Sequence, residues 1–353
     1  MDIQEILHKA TEAAAADIFL VAGLPVTFKC DGKQERMPGD FLRPDGIRGL
    51  VEQIYTLSGR ERTNLDRGLD DDFSFAISQL GRFRVNVFRQ RGSLAAVIRV
   101  IKFGLPDPEK LGIPESVLSL ADNKKGLVLI TGSAGTGKST TLACMIDRIN
   151  KKRDCHIITM EDPIEYIHRH DRAIVTQREI SIDTPGYLDS LRSALRESPD
   201  VILLGEMRDY DTISAAITAA ETGVLLLSTL HTSSAANTIN RIVDVFPAGQ
   251  QAQIRGQLAQ LIKGVVCQQL VMTKEEGLVP VFEVMKSTPA IQNMIREGKY
   301  HQLESTIQSA GDGMVTMDAS LIELVQQGKI TKETALSSSN NYEFMKKRMG
   351  VIR

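Results

Sequence analysis

The chain has 353 residues, 42% of them hydrophobic and 24% charged, a globular composition with length for about two domains. A formal net charge of −2 argues against a protein built to hold a phosphate backbone. Four dispersed cysteines, Cys30, Cys144, Cys155 and Cys267, argue against a zinc module or a disulfide framework. No apolar run approaches the ~18 residues that cross a bilayer, and Met1 to Ala16 lacks a signal-peptide core; a reducing cytosol is the expected setting, and membrane contact would need a partner.

In chain order, an opening helix over Ile3 to Ala15 and strand-like stretches at 82–87 and 95–100 predict a small N-terminal α+β domain over 1–101. Two prolines and a glycine in Lys102 to Pro108 interrupt both periodicities, which places a linker at 102–112. From 113 to 285, strands at Leu127 to Thr131, His156 to Met160, Val201 to Leu204 and Val224 to Leu230 alternate with helical stretches. That alternation predicts an α/β domain with a largely parallel sheet covered on both faces. Leu278 to Met285, soon after Val265 to Met272, reads as an added hairpin, and 286–353 is helical by pattern.

The most informative octet is GSAGTGKS from Gly132 to Ser139, which fits the phosphate-loop pattern G-x-x-x-x-G-K-[ST]. A short apolar strand precedes it, and Leu142, Met145, Ile146 and Ile149 share one helical face after it. Glycines at 132, 135 and 137 let the backbone curl so that its N–H groups converge on phosphate oxygens at a helix N-terminus. The candidate nucleotide-binding residues are therefore Gly132, Ser133, Ala134, Gly135, Thr136, Gly137, Lys138, Ser139 and Thr140. Lys138 would reach the β- and γ-phosphates, and Ser139 would place its hydroxyl on Mg²⁺.

Three later strands end in polar residues. Val201 to Leu204 runs into Gly205-Glu206, where a metal-holding aspartate is usual; with Gly205 there, the metal would depend on Ser139 and water, and Glu206 could polarise the attacking water. Ser139 and Glu206 are thus the candidate metal-site residues. The plainer reading of Glu206 is a cap for the helix beginning near Asp209. Glu161, Asp162 and Glu165 follow another strand at the edge where open α/β sheets bind ligands. Such clusters are commonly solvated turns, but Glu161 could assist proton removal or hold water around the metal. A third strand delivers His231, placed to contact a γ-phosphate.

Arg82, Arg84, Arg89, Arg91 and Arg99 crowd the N-terminal domain, with Arg82 and Arg84 on a strand face opposite Phe83, Val85 and Val87. Charge runs are usually solvated faces. An arginine supplied to a phosphoryl-transfer transition state, however, contributes about 10³ to 10⁵ in rate. Arg99 and Arg84 are the candidates.

These stations in this order resemble the secretion ATPase superfamily, whose members carry a Walker A loop, an acidic box, a Gly-Glu Walker B and a histidine box. Here they read GSAGTGKST from Gly132, IITMEDPIEYIH from Ile157, PDVILLGEMRD from Pro199 and STLHTSSA from Ser228. Over nearly its full length the chain is similar to the PilT-type type IV pilus retraction ATPases, with further matches at GRFRVNVFRQRG from Gly81, INRIVDVFP from Ile239 and AIQNMIREGK from Ala290. The resemblance implies a RecA-like P-loop NTPase core, a PAS-like N-terminal domain and a helical C-terminal extension. It implies ATP and Mg²⁺ as cofactors and a homohexamer that couples ATP hydrolysis to pilus disassembly at the cytoplasmic face of the inner membrane. A platform protein there would be its partner, and one subunit's N-terminal domain would close over the neighbour's nucleotide. Extension and type II secretion relatives usually add a long N-terminal region and a four-cysteine zinc module; this sequence has neither, which favours retraction. A nucleic-acid translocase is the weaker alternative, since the charge is near neutral and aromatic residues are few. Phe19 stands where the family typically has histidine, and Gln292 and Met294 depart from its AIRNLIRE signature.

Overall fold

The computed structural model describes residues 2–30, 33–78, 80–101, 104–275 and 277–350. The chain forms two compact units, Met1–Gly104 and Leu105–Arg353. Lys102 and Phe103, at the start of the expected linker, lie outside the described residues.

The first unit is built on an antiparallel six-stranded sheet. Its strands are β1 (Asp17–Leu20), β2 (Thr27–Cys30), β3 (Lys33–Arg36), β4 (Asp71–Ile77), β5 (Gly81–Gln90) and β6 (Ser93–Ile101), in the order β3-β2-β1-β6-β5-β4. Period-two alternation along β5 buries Phe83, Val85 and Val87 and turns Arg82 and Arg84 to the other face. The helices Ile3–Glu12 and Pro44–Ser58 contribute Leu7, Leu50 and Ile54 to the same core.

The second unit is wound on a seven-stranded sheet: β7 (Gly126–Thr131), β8 (His156–Glu161), β9 (Ile174–Glu179), β10 (Val201–Leu204), β11 (Leu225–Leu230), β12 (Ile262–Met272) and β13 (Leu278–Lys286). The order is β13-β12-β7-β11-β10-β8-β9, parallel throughout except for β13, which closes a hairpin with β12. Both faces are covered, so the inner strands are apolar without alternation: Leu127 and Leu129 pack into one core, Val128 and Ile130 into the other. The strand β9 has no counterpart in the sequence reading. It is an edge strand of mixed polarity, Ile174-Val-Thr-Gln-Arg-Glu179, which lacks an apolar run.

Asp71 on β4 is a heavily bonded carboxylate of the first unit. It is 1% exposed and accepts hydrogen bonds from the Tyr55 hydroxyl (2.8 Å), from Arg60 (2.9 and 3.2 Å) and from Asn64 Nδ2 (3.1 Å). Burial alone would raise its pKa, but those donors outweigh burial and hold it below the usual carboxylate range. A depressed folded-state pKa contributes stability above the unfolded carboxyl's pKa, and that contribution is lost as pH falls through the folded one. Asp71→Asn should therefore cost about 2 kcal/mol at pH 7, and the deficit should shrink below about pH 4. Urea unfolding of both proteins at several pH values checks this; a deficit independent of pH would contradict it.

Candidate active site

The helix Lys138–Lys152 begins directly from the phosphate loop. Gly132, Gly135 and Gly137 all have positive φ (141°, 78° and 86°), so the loop's path needs glycine. A Cβ on Gly132 would collide with the carbonyl of Gln268 on β12, and one on Gly137 would lie 3.0 Å from Gln268 Nε2. Gln268 is itself buried and accepts a hydrogen bond from Thr141 Oγ1 (2.8 Å), which fixes the helix's first turn to the same side chain. Within the loop, Thr136 Oγ1 donates to the Ser133 carbonyl (3.0 Å). The Lys138 ammonium donates to the carbonyls of Gly132 (2.9 Å) and Ser133 (2.7 Å). Thr140 Oγ1 meets the Tyr166 hydroxyl at 2.9 Å, tying the loop's helix to the segment after β8.

A cavity of about 320 Å³ opens over the loop at the C-terminal edge of the sheet. Ala134, Lys138 and Ser139 line it, together with Glu161, Asp162 and Glu165 after β8, Glu206 after β10 and His231 after β11. Parallel register explains the convergence, since Leu204 lies beside Met160 and Leu230 beside Thr131. Of the residues singled out in the sequence, Arg84 and Arg99 belong to the first unit. There Arg84 is paired with Asp72 (2.6 Å) and Arg99 with Asp17 (3.1 Å).

Glu206 sits between Arg208 and His231. Its Oε1 is 2.6 Å from Arg208 Nε and its Oε2 is 3.5 Å from His231 Nε2. The plainer reading, in which Glu206 caps the following helix, does not hold: Asp209 caps Tyr210–Glu221 itself, accepting from Thr212 N at 2.8 Å. Glu161 lies deeper, accepting from Thr159 Oγ1 (2.6 Å) and Gln177 Nε2 (3.1 Å), and burial raises its pKa, with help from Glu165 and Glu179. Burial likewise lowers the pKa of Lys138, opposed by Glu206 and Glu165. The nucleotide's own phosphate charge would reverse that tendency.

Four lining residues escaped the sequence reading. Arg208 follows Glu206 by two positions and is the cation nearest to it. His168 is buried, with Nδ1 lacking a hydrogen-bond partner among the described residues, and burial lowers its pKa to about 4, which leaves the ring neutral at pH 7. Thr229 donates to the Gly205 carbonyl at 2.6 Å and holds the peptide before Glu206. Tyr187 explains the glycine. A Cβ at position 205 would lie 2.7 Å from the Tyr187 hydroxyl and 3.0 Å from the Met160 carbonyl, so an aspartate cannot stand there without a shift. The missing acid at 205 was the available signal that another side chain fills the place.

The oxygen donors around the loop, Ser139 Oγ with the carboxylates of Glu161, Asp162 and Glu206, suit a hard divalent cation such as Mg²⁺ held through water. Among the described residues no compact group of three His, Cys, Asp or Glu ligands exists that would hold a metal by itself. The donor set fits a cation delivered with phosphate oxygens.

The family of type II/IV secretion system proteins matches this chain over residues 1–275. The type IV pilus retractation ATPase PilT of Pseudomonas aeruginosa is 45% identical over 336 residues, covering 95% of this chain and 97% of that protein. A twitching motility protein of Neisseria gonorrhoeae is 44% identical over 317 residues, 88% of this chain and 85% of its own. Among solved structures, that of the pilus retraction motor PilT with bound ADP superposes with a TM-score of 0.90 at 43% identity, covering 98% of this chain and 99% of that one.

Gly205→Ala should destabilise the protein by about 1–3 kcal/mol, the usual range for overpacking. Adding Tyr187→Phe should return part of that loss, because the hydroxyl is the nearest obstacle. Urea unfolding of the two variants checks it; a Gly205→Ala protein as stable as the parent would show that the glycine is not sterically required.

Proposed function

The chain belongs to the type II/IV secretion system protein family and is an ATPase of the PilT type, and we propose that it is the hexameric motor whose ATP hydrolysis drives type IV pilus retraction. The observation that carries the reading is the meeting of Lys138, Ser139, Glu161, Glu206 and His231 around one cavity, in a chain that matches a retraction ATPase almost end to end. In this reading the loop N–H groups and Lys138 bind the phosphates, and Ser139 with the neighbouring carboxylates would hold Mg²⁺, which would supply neutralisation of phosphate charge. Glu206 accepts the proton of the attacking water, and His231 reads the γ-phosphate beside it. Glu161 orders the water around that site. No described helix is long and apolar enough to cross a membrane. By likeness to the retraction ATPases, we infer that the motor works at the cytoplasmic face of the inner membrane against a platform protein.

The arginine that completes the site comes, we infer, from a neighbouring subunit's first unit. Arg99 is the better candidate because its side chain is 67% exposed against 37% for Arg84. Arg99→Ala and Lys138→Ala proteins should each be inactive alone. Mixed before assembly in equal amounts they should regain about a quarter of native turnover, since in a head-to-tail ring a quarter of random interfaces join an intact loop to an intact arginine. Mixed rings, verified by native mass spectrometry, that stay as inactive as either parent would exclude a trans arginine at that position. In cells, a deletion strain should carry excess unretracted pili; absent pili would assign the protein to extension instead.

A further inference from the structure

Behind the cleft lies a buried polar cluster that the proposed chemistry does not use. Thr131, the last residue before the phosphate loop, Cys267 on β12 and Glu283 on β13 stand side by side across three adjacent strands. They are 0%, 1% and 3% exposed. Thr131 Oγ1 donates to Cys267 Sγ at 3.0 Å. Glu283 is a carboxylate in the protein interior, and its two oxygens go to two different helices. Oε1 accepts from Ala235 N (2.7 Å), the first residue of the helix Ala235–Asp244, and Oε2 from Met317 N (3.4 Å), the first residue of Met317–Gln326.

Neither helix needs this carboxylate as a cap. Ser234 already accepts from Asn237 N, and Thr316 from Ala319 N. Glu283 instead takes up a second N–H at each N-terminus, and two positive dipole ends meet on one side chain. Burying a carboxylate is costly, as the upward pressure of burial on its pKa indicates, and an apolar residue would fill the space at lower cost. The distinctive feature is what it joins. The Ala235–Asp244 helix begins four residues after His231, and Thr232, next to that histidine, bonds Thr238 on the helix at 2.7 Å. The other helix belongs to the C-terminal region and is seated on β13 by the Val284–Val315 pairing and by Ser320 Oγ on the Phe282 carbonyl (2.7 Å).

We propose that Glu283 is a positioning residue that ties the His231 loop to the C-terminal helices, so that nucleotide at the cleft changes the start of the Met317–Gln326 helix. The proposal rests on the cleft being the nucleotide site. A carboxylate can accept from both N–H groups at once, whereas a glutamine in its place offers one acceptor and turns an N–H₂ toward the other donor. Glu283→Asp keeps the charge but is one methylene shorter and cannot span both helices.

The test is hydrogen–deuterium exchange of the full, assembled chain with and without the non-hydrolysable ATP analogue adenylyl imidodiphosphate and Mg²⁺. In the native protein the analogue should slow exchange at 132–139, at 231–238 and, by about threefold or more, at 316–320. In Glu283→Gln the first two responses should persist and the third should vanish. Should Glu283→Gln fail to melt cooperatively, Glu283→Asp carries the same expectation. A native response at 132–139 with none at 316–320, or an unchanged 316–320 response in the variant, overturns the role of Glu283 and leaves the nucleotide site standing. No response at 132–139 in the native protein overturns both.

Discussion

The carbonyl of Gln268 occupies the space where a side chain on Gly132 would stand, and this backbone approach sets the height of the phosphate loop above the sheet. The same residue's side-chain amide faces Gly137 and accepts from Thr141, so the beginning of the loop rests on the Gln268 backbone, and its end and the first helical turn rest on the Gln268 side chain. A loop held in this way cannot slide along β7 without disturbing β12, which is parallel to it and closes the β13 hairpin. Everything else in the cleft follows from the parallel register. Strands that start together end together, and their C-terminal tips deliver Glu161, Glu206 and His231 to the loop.

The electrostatics then separate two carboxylates that are close in the fold. Glu161 is half-buried and accepts from Thr159 and Gln177, and desolvation favours its protonated form. Glu206 is flanked by a guanidinium and an imidazole at the cavity wall. Arg208 is 73% exposed, whereas Tyr187 and the Thr229 bond hold the Gly205 peptide in place. The glycine, the tyrosine and the glutamate thus form one unit: removing the side chain at 205 admits the tyrosine, and the carboxylate moves one residue along.

Much of this was legible in the sequence, for physical reasons. A strand buried on both faces must be apolar throughout, so Val201 to Leu204 and Leu127 to Ile130 announced a covered parallel sheet. The phosphate loop was legible because its chemistry demands glycine at fixed spacing, and the positive φ values fall on those glycines. The strand β9 was hidden because an edge strand need not be apolar. Tyr187 and Gln268 were hidden for a different reason: they reach the site from a helix and a strand far off in sequence, and no local spacing encodes that approach. His168 ends the quoted acidic box but attracted no role, because its burial depends on how the chain folds after β8. Arg208 lay inside the quoted Walker B segment but attracted no role, because its pairing with Glu206 depends on how the chain turns after β10.

The central claim is that binding and hydrolysis are carried by different groups in one cleft, Lys138 on the phosphates and Glu206 on the water. Glu206→Gln keeps the shape and removes the base, so the most direct measurement is its steady-state ATP turnover beside its affinity for ATP. The account predicts turnover lower by about 10² or more with affinity within a few-fold of the native protein. Near-native turnover in a correctly assembled Glu206→Gln protein would contradict it.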